Sequence, residues 1–405
     1  MKITYICPTN CVRRPIAELA ILLSKKGHEV SVAYPYSKEC PTDHWAPNKK
    51  ILDYKNVKNV HISSYYLSSL PYNFVKPMSM LRHVREIFKA DVVHLWEYWY
   101  PICMFIIFYA LVTGQRKKLI MTTDGLVGYS YVPKDPWWAV PVFKVYTKTI
   151  GQILFRIPGK LTTYGNAMLS HAKKAGMPMK KLMVQGTGIH LDKFQHVSEE
   201  KVNDLREEFS VESDEKVLLF VGMLTERKGV KTVIEVGIRL LDTGKKIKVL
   251  LVGSTDDKLF YKKLVPKKYS KKIVFVGGRT DIPVWMNLAD VLLLPSEGEG
   301  LPGVVMEAMA SGTACVATNE GCTPDLIDSG TNGFLVEHAD VASYTDAVKQ
   351  VLDDSKKFGD AAYEKIKNFG WEKVAKEYLE IYNKEVKTCS RSIAIFSVVN
   401  LMAEL

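Results

Sequence analysis

Short apolar runs alternate with stretches of helical spacing along the first third of the chain. MKITYIC at the N-terminus reads as a strand, and IAELAILLSKKGHEV carries apolar residues at helical spacing before closing on Gly27. EVSVAY follows as a strand, and KNVHISSY, ADVVHLW and KKLIMTTD are further β-rich runs bounded by polar or turn residues. This alternation predicts a parallel sheet with helices on both faces. From His190 to Glu215 the pattern gives way to the charged stretch LDKFQHVSEEKVNDLREEFSVESDE, read as the exit from a first domain plus a linker or short helix. A second series then begins with KVLLFVGM and a helix from about Lys228 to Thr243, and continues through KIKVLLVGS, KKIVFVGG, DVLLLPS, TACVAT and GFLV. The closing GWEKVAKEYLEIYNKEV is an amphipathic helix with Trp371, Val374, Tyr378, Ile381 and Tyr382 along one side. The expected class is therefore α/β, with two Rossmann-like domains at 1–195 and 196–370. Residues 371–405 form a helix and tail returning to the first domain. Ligands of such folds bind at the carboxyl ends of the strands, which here predicts a cleft between the domains.

Composition changes this picture little. A chain of 405 residues has room for two ordinary domains, and 47% hydrophobic with 24% charged residues excludes a disordered protein. The seven cysteines (7, 11, 40, 103, 315, 322 and 389) form no CxxC pair, and several sit in apolar runs. They read as reduced, mostly buried thiols of a cytoplasmic protein rather than a disulfide framework. MKITYICPTN runs straight into a strand with no leader-like apolar region before it. The uncharged stretch Tyr98 to Gln115 has a strongly apolar part of only about a dozen residues, the length of a buried core helix rather than a membrane span.

Charge is more informative. The net charge is +11, and Pro136 to Leu191 holds no Asp or Glu but includes Lys144, Lys148, Arg156, Lys160, Lys173, Lys174, Lys180 and Lys181. Such a stretch is either a solvated basic face or a surface for anions such as lipid headgroups or a phosphorylated acceptor. Within it PVFKVYTKTIGQILFRI reads as a basic amphipathic helix, fit to lie on an anionic membrane surface or to be an ordinary domain helix with a charged rim. No recognisable nucleic-acid module accompanies the charge, so no nucleic-acid partner is expected.

The chemistry is concentrated in PSEGEGLPGVVMEAMASG, residues 295–312. Its glycines let backbone approach a ligand closely. Pro302 suits the first turn of a helix and Gly312 its end. The amides of Gly303, Val304 and Val305 would then present the positive end of the helix dipole to a phosphate or a polar sugar face. Two carboxylates lie eight residues apart, Glu299 in the loop and Glu307 in the helix, and the apolar residues crowding Glu307 would make an unpaired acid there costly.

EGEGLPGVVMEAMASG resembles the glutamate–seven residues–glutamate motif of the retaining glycosyltransferases of family 4, including its EAMA-x-G tail. KKGHEVSV, DVVH, QGTGIHLDKF, LLFVGMLTERKGV, VLLVGS, MNLADVLLLPS, GTNGFLV and the terminal W-x-x-x-A-x-x-Y helix follow the same family pattern. The resemblance implies the GT-B fold. It implies that Glu299 bonds hydroxyls of the donor sugar and Glu307 the ribose, with Leu301 and the 303–305 amides also on the donor. Gly278 and Arg279 would meet the base. Arg227 and Lys228 would neutralise the departing diphosphate, since the sequence has no DxD motif and no His/Cys cluster at metal-ligand spacing. Neither metal nor cofactor is expected.

Three departures stand out. Met223 occupies the position where the family normally has Arg, leaving Arg227, Arg279 or Arg13 to supply the guanidinium. CPTNCVRRPIAELA lacks the family's Gly-Gly turn, though Arg13 and Arg14 follow it. Asp124 stands where the family often has His. It either orients the acceptor hydroxyl or serves as an N-cap or turn residue. On the acceptor side Arg13 and His94 are candidates, the latter equally suited to a core position. The implied activity is retaining transfer of a hexose-type sugar from a nucleotide-diphosphate donor, UDP ahead of GDP, to a glycan, lipid-linked or other hydroxyl acceptor. The alternatives are a nucleotide-sugar epimerase, an inverting transferase, or a non-catalytic nucleotide-sugar binding protein. The expected location is cytoplasmic, with or without attachment to a membrane face.

Overall fold

A computed structural model describes residues 1–9, 12–36, 56–65, 74–130, 138–255 and 258–404; the side chains at 65, 74, 258, 259 and 388–404 lie outside the description. The chain divides into two compact units. One contains Met1–Tyr129, Pro133–Gly188 and Trp371–Leu405, and the other is built on Ile189–Gly370.

The first unit holds β1 (Lys2–Ile6), β2 (Glu29–Tyr36), β3 (Val57–Tyr65), β4 (Phe74–Val75), β5 (Val92–Trp96), β6 (Leu119–Thr123), β7 (Lys160–Thr163) and β8 (Leu182–Val184). They form one eight-stranded sheet in the order β4-β3-β2-β1-β5-β6-β7-β8. Every pairing is parallel except that of β3 with the short β4. The parallel strands predicted from MKITYIC, EVSVAY, KNVHISSY, ADVVHLW and KKLIMTTD are all present. β7 and β8 are additions: KLTT and LMV are too short to stand out as strands.

The second unit holds β9 (Lys216–Val221), β10 (Ile247–Val252), β11 (Ile273–Gly277), β12 (Val291–Leu294), β13 (Ala314–Thr318) and β14 (Gly333–Val336). The sheet is wholly parallel, in the order β11-β10-β9-β12-β13-β14. Strands buried on both faces must be continuously apolar, and IKVLLV, VLLL and ACVAT are buried at every position. In both sheets the strand order reverses once, between β1 and β5 and between β9 and β12. A crevice opens at the carboxyl ends of the strands at such a reversal, so each unit offers one preferred ligand position.

Three segments carry more detail than the reading of the sequence. Of the linker or short helix expected at 190–215, the structure shows two short helices, Leu191–Gln195 and Glu199–Glu208. The amide of Asn287 donates to the carbonyl of Phe194 at 2.8 Å, which ties this segment to the second unit. The apolar stretch from Tyr98 forms the helix Pro101–Val112, but only one side of it is core. Ile102, Cys103, Ile106, Ile107 and Ala110 are buried while Phe108, Leu111 and Val112 are exposed. An apolar sequence of this kind gives no amphipathic signal to tell its two sides apart. The helix Trp371–Glu404 packs Trp371, Val374, Tyr378, Ile381 and Tyr382 into the core of the first unit, alongside Tyr5, Ile16 and Trp96.

None of the described helices is long and apolar enough to cross a membrane. Cys7, Cys103, Cys315 and Cys322 are buried. Cys11, Cys40 and the side chain of Cys389 lie outside the described residues.

Candidate functional site

At the β9/β12 reversal, the loops leaving the two strands meet. The loop after β9 makes a single 3-10 turn, Glu226–Lys228, and Gly229 then adopts a left-handed φ of +69° before the helix Val230–Asp242 begins. A β-carbon on Gly229 would stand 2.1 Å from the carbonyl oxygen of Pro295, so only glycine lets this turn lie against the end of β12. The amide of Glu297 donates to the carbonyl of Arg227 at 2.8 Å and joins the two loops. From below, the amide of Gly298 donates to Glu320 at 2.8 Å, and the amide of Cys322 to the carbonyl of Gly300 at 2.9 Å. His338 reaches Glu297 at 2.7 Å.

This framework sets Lys228 Nζ 2.5 Å from Glu299 Oε1. The two side chains are 18% and 15% exposed, so the pair is shielded from water over most of its surface. Arg227 lies beside it. Its Nη1 donates to the carbonyl of Glu297 at 3.1 Å and stands 4.0 Å from the same Glu299 oxygen. Two cations thus converge on one carboxylate, leaving positive charge for a second anion. The helix Gly303–Ala310 follows, with Pro302 at its N-cap, and Gly312 ends it at φ +73°. Leu301 is buried and Glu307 is half-buried one turn along.

The sequence offered three helix amides, and the structure narrows them to two. The first turn is tight, and the amide of Val305 already donates to the carbonyl of Pro302 at 3.1 Å. Among the described residues the amides of Gly303 and Val304 have no backbone acceptor. A third group here went unnoticed in the sequence. The hydroxyl of Ser296, at the end of β12, is buried with no hydrogen-bond partner among the described residues. Leaving a buried hydroxyl unpaired costs about 1–3 kcal/mol, so such a group marks a place where a ligand or water completes the bonding.

Gly278 and Arg279 follow β11, and Arg279 is already occupied. It makes a two-pronged contact with Asp281 at 3.1 Å, approaches Glu208 at 3.6 Å and lies over the Trp285 ring. The hydrogen bonds to Asp281 hold its pKa above the ordinary arginine value. It does not join the Lys228–Glu299 group.

The first unit has its own charged cluster at its strand reversal. Arg13, which precedes the helix Arg14–Lys25, places Nη1 2.6 Å from Asp124 at the end of β6 and 3.7 Å from Glu97 at the end of β5. Glu97 is buried, has a left-handed φ of +70°, and accepts from the amide of Asp124 at 3.0 Å and from the hydroxyl of Thr123 at 3.1 Å. Burial, and then the charge of Asp124, raise the Glu97 pKa well above the usual carboxylate range. Burial alone would lower the pKa of Arg13, but the Asp124 and Glu97 carboxylates raise it above the ordinary value. Glu97 was not anticipated, because a single acid after HLW belongs to no local pattern. A bulky residue held at positive φ costs of order 1–3 kcal/mol, and such strain gathers at functional sites.

His94 lies apart from this cluster, fully buried in β5. Its Nδ1 meets the Tyr382 hydroxyl and its Nε2 the Thr122 hydroxyl, each at 2.7 Å, and its ring stacks on Trp96. Burial pushes its pKa down to about 3, so it is neutral, and with both nitrogens engaged it is a core residue rather than an acceptor ligand. Among the described residues no group of three or more His, Cys, Asp and Glu is arranged to hold a metal ion.

Residues 12–193 match the family described as Glycosyltransferase Family 4, and residues 201–368 match Glycosyl transferases group 1. The chain belongs to the family 4 glycosyltransferases of GT-B type. Among relatives of this glycosyltransferase is the N-acetyl-alpha-D-glucosaminyl L-malate synthase of Bacillus anthracis, 23% identical over 90% of this chain and 91% of that protein. The D-inositol 3-phosphate glycosyltransferase of Corynebacterium efficiens is 30% identical over 44% of this chain and 45% of its own length. Two solved structures share the fold. Anabaena Alr3699/HepE in complex with UDP and glucose has a TM-score of 0.73 at 16% identity, covering 95% of this glycosyltransferase and all of that chain. A glycosyltransferase from Rickettsia africae ESF-5 has a TM-score of 0.73 at 21% identity, covering 95% and 98%.

Proposed function

We propose that this glycosyltransferase moves a hexose-type sugar from a nucleotide-diphosphate donor to a hydroxyl acceptor with retention of anomeric configuration and without a metal ion. The observation that carries the proposal is the Lys228–Glu299 pair, with Arg227 beside it, at the strand reversal of the second unit. A departing nucleoside diphosphate accumulates negative charge that must be neutralised in the transition state. Lys228 and Arg227 supply fixed positive charge for it, and Arg227 provides the guanidinium that Met223 cannot. This weighs against a non-catalytic nucleotide-sugar binder. Glu299 accepts hydrogen bonds from the donor sugar, Glu307 from the ribose, and the Gly303 and Val304 amides donate to donor oxygens. Gly278 and Arg279 lie towards the base.

UDP is placed ahead of GDP, a choice supported by the UDP complex of the similar Anabaena protein. On the acceptor side, Arg13 matches the charge of Asp124, so Asp124 serves to orient an acceptor hydroxyl rather than to act as a base. An inverting reaction would need such a base. In a retaining reaction the acceptor approaches the face that the diphosphate leaves, and the protein's tasks are positioning and charge stabilisation.

The test needs no knowledge of the acceptor. UDP- and GDP-sugars are incubated with the protein in the presence of a chelator, and the sugar released by slow hydrolysis is followed by NMR before it mutarotates. Release with the donor's own anomeric configuration supports the proposal. Initial release of the opposite anomer, or turnover only after a divalent metal is added, overturns it, and recovery of an epimerised donor would point to the epimerase reading.

A further inference from the structure

The helices Ala139–Lys148 and Ile150–Arg156 are mounted the wrong way round for a protein that faces only water. Their inward contacts are made by Phe143 against Trp99, Tyr146 against Tyr98, and Phe155 against Tyr98. Trp138, Val142 and Val145, spaced four and three residues apart, form an exposed apolar strip along the first helix. Ile150 and Ile153 continue the apolar surface on the second. All five are between 44% and 64% exposed. Lys144 and Lys148 lie on the first helix and Arg156 ends the second, all exposed. The hydrogen bonds of Lys148 and Arg156 go to carbonyls, of Lys174 at 2.7 Å and of Gln152 at 2.6 Å. Among the described residues none of these three cations is paired with a carboxylate, and the stretch Pro136 to Leu191 contains no acid at all.

We propose that this face docks on an anionic phospholipid surface, with Trp138, Val142, Val145, Ile150 and Ile153 entering the interface and Lys144, Lys148 and Arg156 meeting the headgroups. An amphipathic segment with an apolar outer side and a basic rim binds such a surface through buried apolar area plus attraction to anionic lipid. A second copy of the chain fits less well. A symmetric contact sets each patch against itself and would bring the uncompensated cations together. The proposal goes beyond the transfer reaction, and its failure would leave that reading intact.

The test is co-sedimentation of the full chain with vesicles of phosphatidylcholine, and of phosphatidylcholine mixed with phosphatidylglycerol, at low and high salt. The parent binds the mixed vesicles and releases from them as salt rises. Each cation near such a surface contributes about fivefold to partitioning, so Lys144→Gln/Lys148→Gln/Arg156→Gln binds roughly a hundredfold more weakly. Val145→Asp/Ile153→Asp abolishes binding, while its thermal melt stays that of the parent because both side chains are already exposed. No binding of the parent to anionic vesicles at low salt overturns the proposal, as does equal binding to neutral vesicles. So does a parent that sediments as a dimer and is made monomeric by Val145→Asp/Ile153→Asp, since the face would then join two copies.

Discussion

Replacing Glu299 by Gln separates the two tasks assigned to the Lys228–Glu299 pair. In the protein alone, Lys228 Nζ lies 2.5 Å from Glu299 Oε1 in a largely shielded position, so a diphosphate must compete with that carboxylate for the lysine. A hydrogen bond between charged groups contributes about 1.5–3 kcal/mol. Glu299→Gln removes the competing charge and keeps the side chain's size. Bare UDP should therefore bind the variant about 10- to 100-fold more tightly than the parent. Catalysis should move the opposite way, because the carboxylate proposed to hold the sugar is gone. Loss of one such polar contact at the reacting centre typically costs about 100- to 1,000-fold in kcat. Titration calorimetry with UDP, on the parent, Glu299→Gln and Lys228→Met, reads the binding effect, and the rate of donor-sugar release by the same proteins reads the catalytic one. If Glu299→Gln weakens UDP as much as Lys228→Met does, the lysine is not shared and the reasoning fails.

Two further outcomes follow from the geometry. Gly229→Ala forces a β-carbon to within 2.1 Å of the Pro295 carbonyl at φ +69°, whereas Gly312→Ala, at φ +73°, meets nothing within 4 Å. The first should cost about 2–5 kcal/mol from backbone and overpacking together and the second only the backbone part, about 1–2 kcal/mol; equal melting temperatures for the two variants would contradict this. His94 has its pKa pushed down to about 3 by burial, so folding keeps it neutral while the unfolded chain takes up a proton below the ordinary histidine value. That stability is full above about pH 6.5 and drains away as pH falls. The advantage of the parent over His94→Asn, measured by denaturant unfolding, should therefore shrink by about 2 kcal/mol between about pH 7 and pH 5, and a constant difference would refute it.

The parts of the structure legible in the sequence were those encoded locally. Buried parallel strands such as VLLFV and VLLV announce themselves by continuous apolar character, and their alternation with helices leads directly to two doubly wound sheets. The 295–312 segment was readable for the same reason, since loop, proline, helix and both glutamates lie within one short stretch. What was hidden depends on residues far apart. Arg13 and Asp124 are separated by 111 positions, and His94 and Tyr382 by 288. Glu97 acquires its role from a left-handed backbone and from Arg13, neither of which its neighbours in sequence reveal. That the Val305 amide already donates to the Pro302 carbonyl is hidden from the sequence, because the tightness of a helix's first turn is a matter of geometry, not composition. In the 138–156 segment, periodicity showed an apolar side without showing that it faces outwards.

In the proposed reaction, fixed cations and helix amides, rather than a divalent ion, hold an activated sugar diphosphate in the second unit. Calorimetric titration of UDP-sugar and GDP-sugar in excess chelator tests it most directly, comparing the parent with Lys228→Met and Glu307→Ala. Saturable binding by the parent, weakened at least about tenfold in each variant, is the predicted result. No binding by the parent until a divalent metal is supplied, or undiminished binding by both variants, would contradict it.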